Sequence, residues 1–446
     1  MSFDTIVIGG GFAGLSAAAA LADAGARVLV LEARPSLGGR ASSFVDPASG
    51  ETVDNGQHLM LGCYHETLAF LARIGASGNV RIQGSLEVPF IDDAGRESVL
   101  SCPPLPPPLH LLAGLAEWEA LGVGDWLSAL SLAAPVRRAQ RYLRSGKGVL
   151  PAWDGETVEN WLVRNGQSRR LREMLWGPLA LAALNQPADQ ASAPMFVGVL
   201  ARMLGPDPRD SAVAMPLRPL DAMYAEPARE FIAAHGGEVR VSCPARVRIG
   251  NDRVAWVDAR GERVDAPVVV VAVPWFALTE TITGDTRPVD GLLSASRAVV
   301  ASPIVTVNLW FDRSVLTAPF VGLPGRVFQW AFDKRQVFGD SASHLSCVSS
   351  GAAAVVAQSN EDLAARALAE LASALPSARS AEVVRSVVVR ERRATFSLAP
   401  GQPSRPGTET AVAGLLLAGD WVDTGLPATI EGAVASGHRA ARLARP

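Results

Sequence analysis

Three glycines and one carboxylate near the N-terminus have the types and spacing that hold a dinucleotide. Residues 4–14 read DTIVIGGGFAG, an apolar run followed by Gly9, Gly11 and Gly14 as G-x-G-x-x-G. In this pattern Gly9 allows the tight turn out of a strand. Gly11 lets a pyrophosphate approach bare backbone, and Gly14 permits close packing of a helix on the sheet. The helix opening at Phe12 and Ala13 offers free N–H groups and the positive end of its dipole to phosphates. After SAAAALADAG and RVLVLEA, Glu32 ends a second strand, with Ala33 and Arg34 behind it. A carboxylate there accepts hydrogen bonds from an adenosine ribose.

The next residues narrow the choice of dinucleotide. The segment ARPSLGGRASSF contains Gly38, Gly39 and Arg40. It resembles the GGR segment of the amine oxidase and phytoene desaturase superfamily of flavoproteins. The resemblance implies FAD as cofactor, with the arginine facing its pyrophosphate and the glycines allowing backbone to come close. It also implies that ETVDNGQHLM, with Asn55, Gly56, Gln57 and His58, lies beside the isoalloxazine ring. Val247 would meet the adenine through its backbone. Near the other end, AGDWVDTGLPATIEGAVASG places Gly419 and Asp420 after a strand, where a carboxylate can accept from ribityl hydroxyls. Thr429, Ile430 and Glu431 open a helix. Its N–H groups would face the flavin N1/O2 edge and stabilise negative charge there.

These residues need elements to hold them. A helix is expected over 64–75, and a hairpin in VPFIDDAGRESVL around Asp93-Ala94-Gly95. The proline cluster of 101–108 is extended. A long apolar, helix-prone region follows, then helices near 156–165, 168–184 and 219–235. From residue 236 the pattern alternates as a three-stranded meander leading into an apolar strand at 267–273. Residues 300–350 are strand-rich, 360–376 helical, 414–420 a final strand, and PATIEGAVASGHRAARLA a final helix. The expected class is α/β, a Rossmann-like FAD-binding domain with an interleaved α+β substrate domain. The first domain is discontinuous (1–60, 210–275 and 405–446); the second takes 61–209 and 276–404.

Composition limits the remaining choices. The chain has 446 residues, 48% of them apolar and 19% charged, with a net charge of −3. No basic patch stands out, so no nucleic-acid partner is expected. Arginine supplies nearly all the positive charge; Lys147 and Lys334 are the lysines. Cys63, Cys102, Cys243 and Cys347 show neither C-x-x-C nor metal spacing, so reduced thiols and no metal are expected. No signal peptide is seen, and no apolar run has membrane-spanning length. A cytoplasmic protein is expected, with peripheral contact at the inner membrane face open.

NGQHLMLGCYHETLAFLARIGA, LPPPLHLLAGL, LWGPLALAALNQPADQAS and GDWVDTGLPATIEGAVASG together resemble the hydroxysqualene dehydroxylase family, over nearly the whole chain. That resemblance implies reductive loss of an allylic hydroxyl: hydroxysqualene becomes squalene in hopanoid or triterpenoid synthesis, with hydride from reduced flavin N5. An apolar cavity would hold the long isoprenoid and exclude water. His58 is the candidate proton donor. No second G-x-G-x-x-G appears, so an external electron donor is expected. Carotenoid-type desaturation or amine oxidation is the alternative, with Lys334 as the lysine such an oxidase would use. In 109–135, Leu109, Leu111, Leu112, Leu115 and Trp118 could face a membrane or line a lipid entrance. So could Leu121, Trp126, Leu127 and Leu130; a buried helical pair is the other reading.

Overall fold

Strands that read as unbroken apolar runs must be covered on both faces. TIVI at Thr5–Ile8, VLVL at Val28–Leu31 and LLL at Leu415–Leu417 are buried at every position. In the computed structural model, which describes residues 3–48, 50–339 and 343–445, they form one parallel sheet. Its order is Glu238–Arg240, Val28–Leu31, Thr5–Ile8, Val268–Val271 and Leu415–Leu417. Strands from the beginning, middle and end of the chain thus lie side by side. Glu238–Arg240 joins this sheet; the expected meander is Ala245–Gly250, Arg253–Ala259 and Glu262–Val264, extended in parallel by Ile282–Gly284.

The first helix, Phe12–Asp23, packs along the last, Ile430–Ala444. The contact is backbone-close. A methyl on Gly437 would stand 2.2 Å from the Ala13 carbonyl oxygen and 2.3 Å from Ser16 Oγ. The helix His65–Arg73 also packs on these two, so its apolar contacts lie with the parallel sheet although it follows residue 60. Pro227, inside the expected 219–235 helix, is accommodated at the start of Glu226–Ala234, after a π-helical turn at Asp221–Ala225.

The second layer is a seven-stranded sheet. It runs Val383–Phe396, Ala301–Phe311, Ser343–Ser349, Trp330–Asp333, Phe320–Gly322, Glu87–Ile91 and Glu97–Ser101. The 14-residue strand Val383–Phe396 has no counterpart among the sequence expectations. On one face Val305, Val307 and Leu309 pack with Leu363, Ala367 and Leu371 of the helix Asn360–Ala374. The alternate residues Thr306, Asn308 and Trp310 point to the opposite face.

The region 109–135 divides between its two readings. Leu115 and Trp118 are buried, Trp118 beside the ring of Phe90, while Leu109, Leu127 and Leu130 are exposed. Among the described residues no helix is long and apolar enough to cross a membrane, and no group of His, Cys, Asp and Glu could hold a metal ion. All four cysteines are free thiols.

Candidate functional site

The N-terminal turn has the form its glycines require. Gly9 has φ +113°, and a methyl on Gly14 would stand 1.9 Å from the Gly9 carbonyl oxygen. Both positions are therefore closed by protein. Gly11 differs: a methyl there would meet only Gly38 O at 3.8 Å and Gly39 Cα at 3.9 Å. The Gly11 turn and the Gly38-Gly39 loop touch: a methyl on Gly39 would meet Gly11 Cα at 3.4 Å, and Gly38 N donates to Gly10 O at 2.8 Å, so bare backbone of both loops forms one continuous edge. Gly11 caps the first helix without a side-chain bond, and no acidic residue lies in the first turn. The leading N–H groups, including those of Phe12 and Ala13, are left as an uncompensated positive end beside this edge.

Glu32 sits beneath the turn. Its Oε2 accepts from Gly10 N at 2.7 Å and its Oε1 from Arg34 N at 2.8 Å. Each oxygen keeps a lone pair. Ala33 and Arg34 are exposed, and Arg34 Nη1 donates to Gly39 O at 3.0 Å, bracing the second glycine loop from within. Beside Glu32 runs Ser242–Cys243, whose N–H groups bond to Arg34 O and Glu32 O. Val247, expected here, lies further along, fully buried in a central strand, with its carbonyl taken by Thr283 Oγ1 at 3.0 Å. Strands lie on both its sides, so its backbone is engaged in the sheet, and the loop before it approaches the carboxylate.

Tyr224 supports the second loop. Its hydroxyl donates to Gly38 O at 2.9 Å and Ala41 O at 3.0 Å, and its ring stacks on Phe12 at 3.6 Å. Arg40, leaving that loop, pairs with Asp420 and sits 5.4 Å above the Trp275 ring. One ion pair thus joins the N-terminal and C-terminal motifs across 380 residues of sequence. Gly419 turns the chain there (φ +145°), close against Trp421. On the far side of Trp421 is a cavity of 240 Å³ lined by Leu292, Val299, Phe396 and Arg405.

The 54–58 turn is held by groups that sequence spacing did not single out. Asp54 is buried and bonds Ser43 Oγ at 2.7 Å, Leu220 N at 3.2 Å and Lys334 Nζ at 3.0 Å. Lys334 is equally buried and also donates to Gln57 Oε1. Burial alone would raise the Asp54 pKa. The charge of Lys334 and the three hydrogen bonds outweigh it and hold the carboxyl below its ordinary value. Asn55 donates to Arg40 O, while its buried Oδ1 has no partner. His58 Nδ1–H donates to Gly56 O at 2.9 Å. Burial lowers the His58 pKa, and the charges of Lys334 and Arg40 act in the same direction, so the ring is neutral.

The seven-stranded sheet closes this turn from above. A methyl on Gly56 would stand 3.6 Å from Thr306 Oγ1. Thr306 Oγ1 and Asn308 Nδ2 are buried without partners. His344 Nε2–H donates to Asn308 Oδ1 at 2.9 Å and its ring stacks on Trp310 at 4.0 Å. Across the strands, Val348 and Trp330 continue the Thr306 row, and Ser346 and Phe332 the Asn308 row. A polar cluster thus borders an aromatic shelf of Trp330, Phe332, Phe320 and Phe90. Three orphaned polar atoms, on Asn55, Thr306 and Asn308, surround a turn whose neighbours are otherwise satisfied. Such groups mark the place of a missing polar partner, and the residues fit a planar ring bearing donors and acceptors.

The last helix departs in one respect from expectation. Thr429 Oγ1 caps it at Gly432 N, 3.1 Å away, leaving the N–H groups of Ile430 and Glu431 unused by that cap. The Glu431 side chain caps a different helix. It accepts from Glu66 N at 3.0 Å, Thr67 N at 2.9 Å and Thr67 Oγ1 at 2.7 Å. The start of His65–Arg73 has no other side-chain cap, so the buried carboxylate is drawn there. Lys334 had a signal in sequence, as one of two lysines in an arginine-rich chain. Thr306, Asn308, His344 and Tyr224 belong to no motif, and Asp54, inside ETVDNGQHLM, was not singled out there; packing unites them.

The flavin containing amine oxidoreductase family matches residues 12–444. A hydroxysqualene dehydroxylase of Rhodopseudomonas palustris is 32% identical over 99% of this chain and 98% of its own. One of Sinorhizobium fredii is 31% identical over 98% and 97%. Among solved structures, an oxidoreductase from Methanosarcina mazei superposes with a TM-score of 0.75 at 18% identity, covering 98% of this chain and 99% of that one.

Proposed function

Since the chain belongs to the flavin containing amine oxidoreductase family, and within it to the hydroxysqualene dehydroxylases, we propose that it converts hydroxysqualene to squalene with FAD as cofactor. It is a flavin-dependent oxidoreductase. The observation that carries the finer reading is the aromatic shelf of Trp330 and Phe332 running directly into the polar cluster over Gly56. A long hydrocarbon with one hydroxyl suits such a surface.

The backbone edge of Gly11 and Gly39 would hold the cofactor's pyrophosphate, Glu32 its adenosine ribose, and Arg40 with Asp420 the phosphates and ribityl chain. Ser242–Cys243 would border the adenine. Asn55, Gly56 and Gln57 would border the ring, with Thr306 and Asn308 as polar partners. Segments 1–60, 210–275 and 405–446 form this domain, joined by the helix His65–Arg73. Segments 61–209 and 276–404 otherwise form the substrate domain.

Bound in its reduced form, the flavin supplies the hydride that takes the place of the hydroxyl. The balance also needs one proton, so that the hydroxyl departs as water and leaves the hydrocarbon. His58 is poorly placed to give it, being neutral with its Nδ1–H committed to Gly56 O. Lys334 has three N–H donors and uses two on Asp54 and Gln57. We assign the proton to its third N–H. The apolar shelf keeps water from the allylic carbon while it carries positive charge. Reducing equivalents come from a separate donor, and a substrate this insoluble calls for contact with a membrane surface.

The test is anaerobic mixing of chemically reduced protein with hydroxysqualene. Flavin reoxidation should match squalene formation mole for mole. Squalene appearing while the flavin stays reduced overturns the reading, as does peroxide formed from amines in air. The double variant D54N/K334M removes both charges together and should slow the step by about 10²-fold or more, while H58N has a much smaller effect.

A further inference from the structure

The near-neutral overall charge hides a local basic cluster. Between Asp125 and Asp154 the chain carries Arg137, Arg138, Arg141, Arg144 and Lys147 and no acid. All five are exposed, and none is ion-paired among the described residues. Asp125 is turned back on its own helix, accepting from Gly122 N at 2.9 Å. The chain stays right-handed helical through Val123–Ala129, Leu130–Leu132 and Ala133–Ser145, and ends at Gly146 with φ +63°.

Steps of three and four along this helix connect one exposed stripe. Val123, Leu127 and Leu130 form its first half; Arg137, Arg138, Arg141 and Arg144 form its second. Val136 and Ala139 on the opposite side are buried, where the helix packs on Ala193–Met203. Past its end Val149 is 82% exposed and Trp153 57%. Among the described residues, nine of the fifteen exposed large apolar side chains lie between 105 and 163. Exposed leucine, valine and tryptophan are costly on a purely soluble face, and unpaired arginines beside them select the partner.

We infer that this stripe, from Val123 to Arg144, docks the protein on a bilayer rich in anionic lipid. The arginines meet headgroup phosphates, and Val123, Leu127 and Leu130 enter the headgroup–acyl boundary. Nucleic acid would satisfy the arginines but leave the apolar half in water. The inference deepens the membrane contact proposed above, but its test needs no substrate and stands or falls apart from the dehydroxylation.

The test is flotation of the purified, flavin-loaded protein with phosphatidylcholine vesicles, alone or with about 30% phosphatidylglycerol. The protein should float with the anionic vesicles and be released by raised salt. Each arginine near the surface is worth roughly fivefold in partitioning, so R137Q/R138Q/R141Q/R144Q should lose two to three orders of magnitude. L127S/L130S should weaken binding at any salt. Retained flavin and an unchanged melt confirm that each variant folds. If the quadruple variant does not fold, R141E and the salt dependence of the unaltered protein decide. Equal flotation with neutral and anionic vesicles overturns the inference, as does unaltered binding by folded variants. Preference for an RNA oligonucleotide over vesicles also overturns it.

Discussion

Lys334 and Asp54 form the ion pair with the most at stake, because both side chains are almost wholly removed from water. Taking away one partner strands a charge. K334M should cost about 3–5 kcal/mol in urea unfolding, whereas D54N/K334M, which leaves no charge behind, should cost much less. Equal losses would mean that the pair is only loosely coupled. His344 predicts a pH effect. Burial, with the charge of Lys334 adding to it, lowers its pKa to about 3 from an ordinary 6.5. Between those values the unfolded chain carries the extra proton, so stability falls as pH drops below 6.5. One such ring contributes up to roughly 1.4 kcal/mol per pH unit. Unfolding measured at pH 7 and pH 5 should therefore show the unaltered protein losing roughly 2 kcal/mol more than H344Q. No spacing marked His344, and Asp54 and Lys334, 280 positions apart, declare their pairing only once strands bring them together.

The glycine turn separates two roles that its motif presents as one. At Gly14 a methyl would collide with the Gly9 carbonyl, while at Gly11 it would meet ordinary contacts. G14A should therefore destabilise the fold, by about 1–3 kcal/mol from overpacking alone. G11A should melt as the unaltered protein does when flavin is absent, yet bind flavin markedly more weakly. Thermal melts of apo-protein beside a flavin titration check both, and a G11A apo-protein that melts early would refute the distinction. At this scale the sequence was most readable. The turn, the final helix and the apolar strands declare themselves by local pattern, and each stands where that pattern put it. Glu431 shows the limit: its place at a helix start was legible, but which helix it caps was decided by three-dimensional neighbours. The strand Val383–Phe396 shows another. Its arginines hid the alternation of a half-covered edge strand, and Arg385 in it pairs with Asp46 of a distant hairpin.

Across the whole molecule, the parallel sheet and its glycine turn were legible because their motifs are short and backbone-driven. The sheet that closes the 54–58 turn was visible only as strand-rich sequence, since its part lies in which rows of residues face that turn. Because the proposed FAD site is built from three separated segments, ligand and fold should be strongly linked. At a free FAD concentration a hundredfold above its dissociation constant, unfolding should cost about 2.7 kcal/mol more than in apo-protein. Calorimetry with and without added FAD checks this; an unmoved transition would mean that the segments are organised without it. The intimate packing of the last helix on the first also sets an order of events during synthesis. The first βαβ unit leaves the ribosome early but cannot complete its nucleotide cleft until the final helix has emerged. Nascent chains halted before residue 430 should thus be colourless, and pigment should appear only in chains that include the helix Ile430–Ala444.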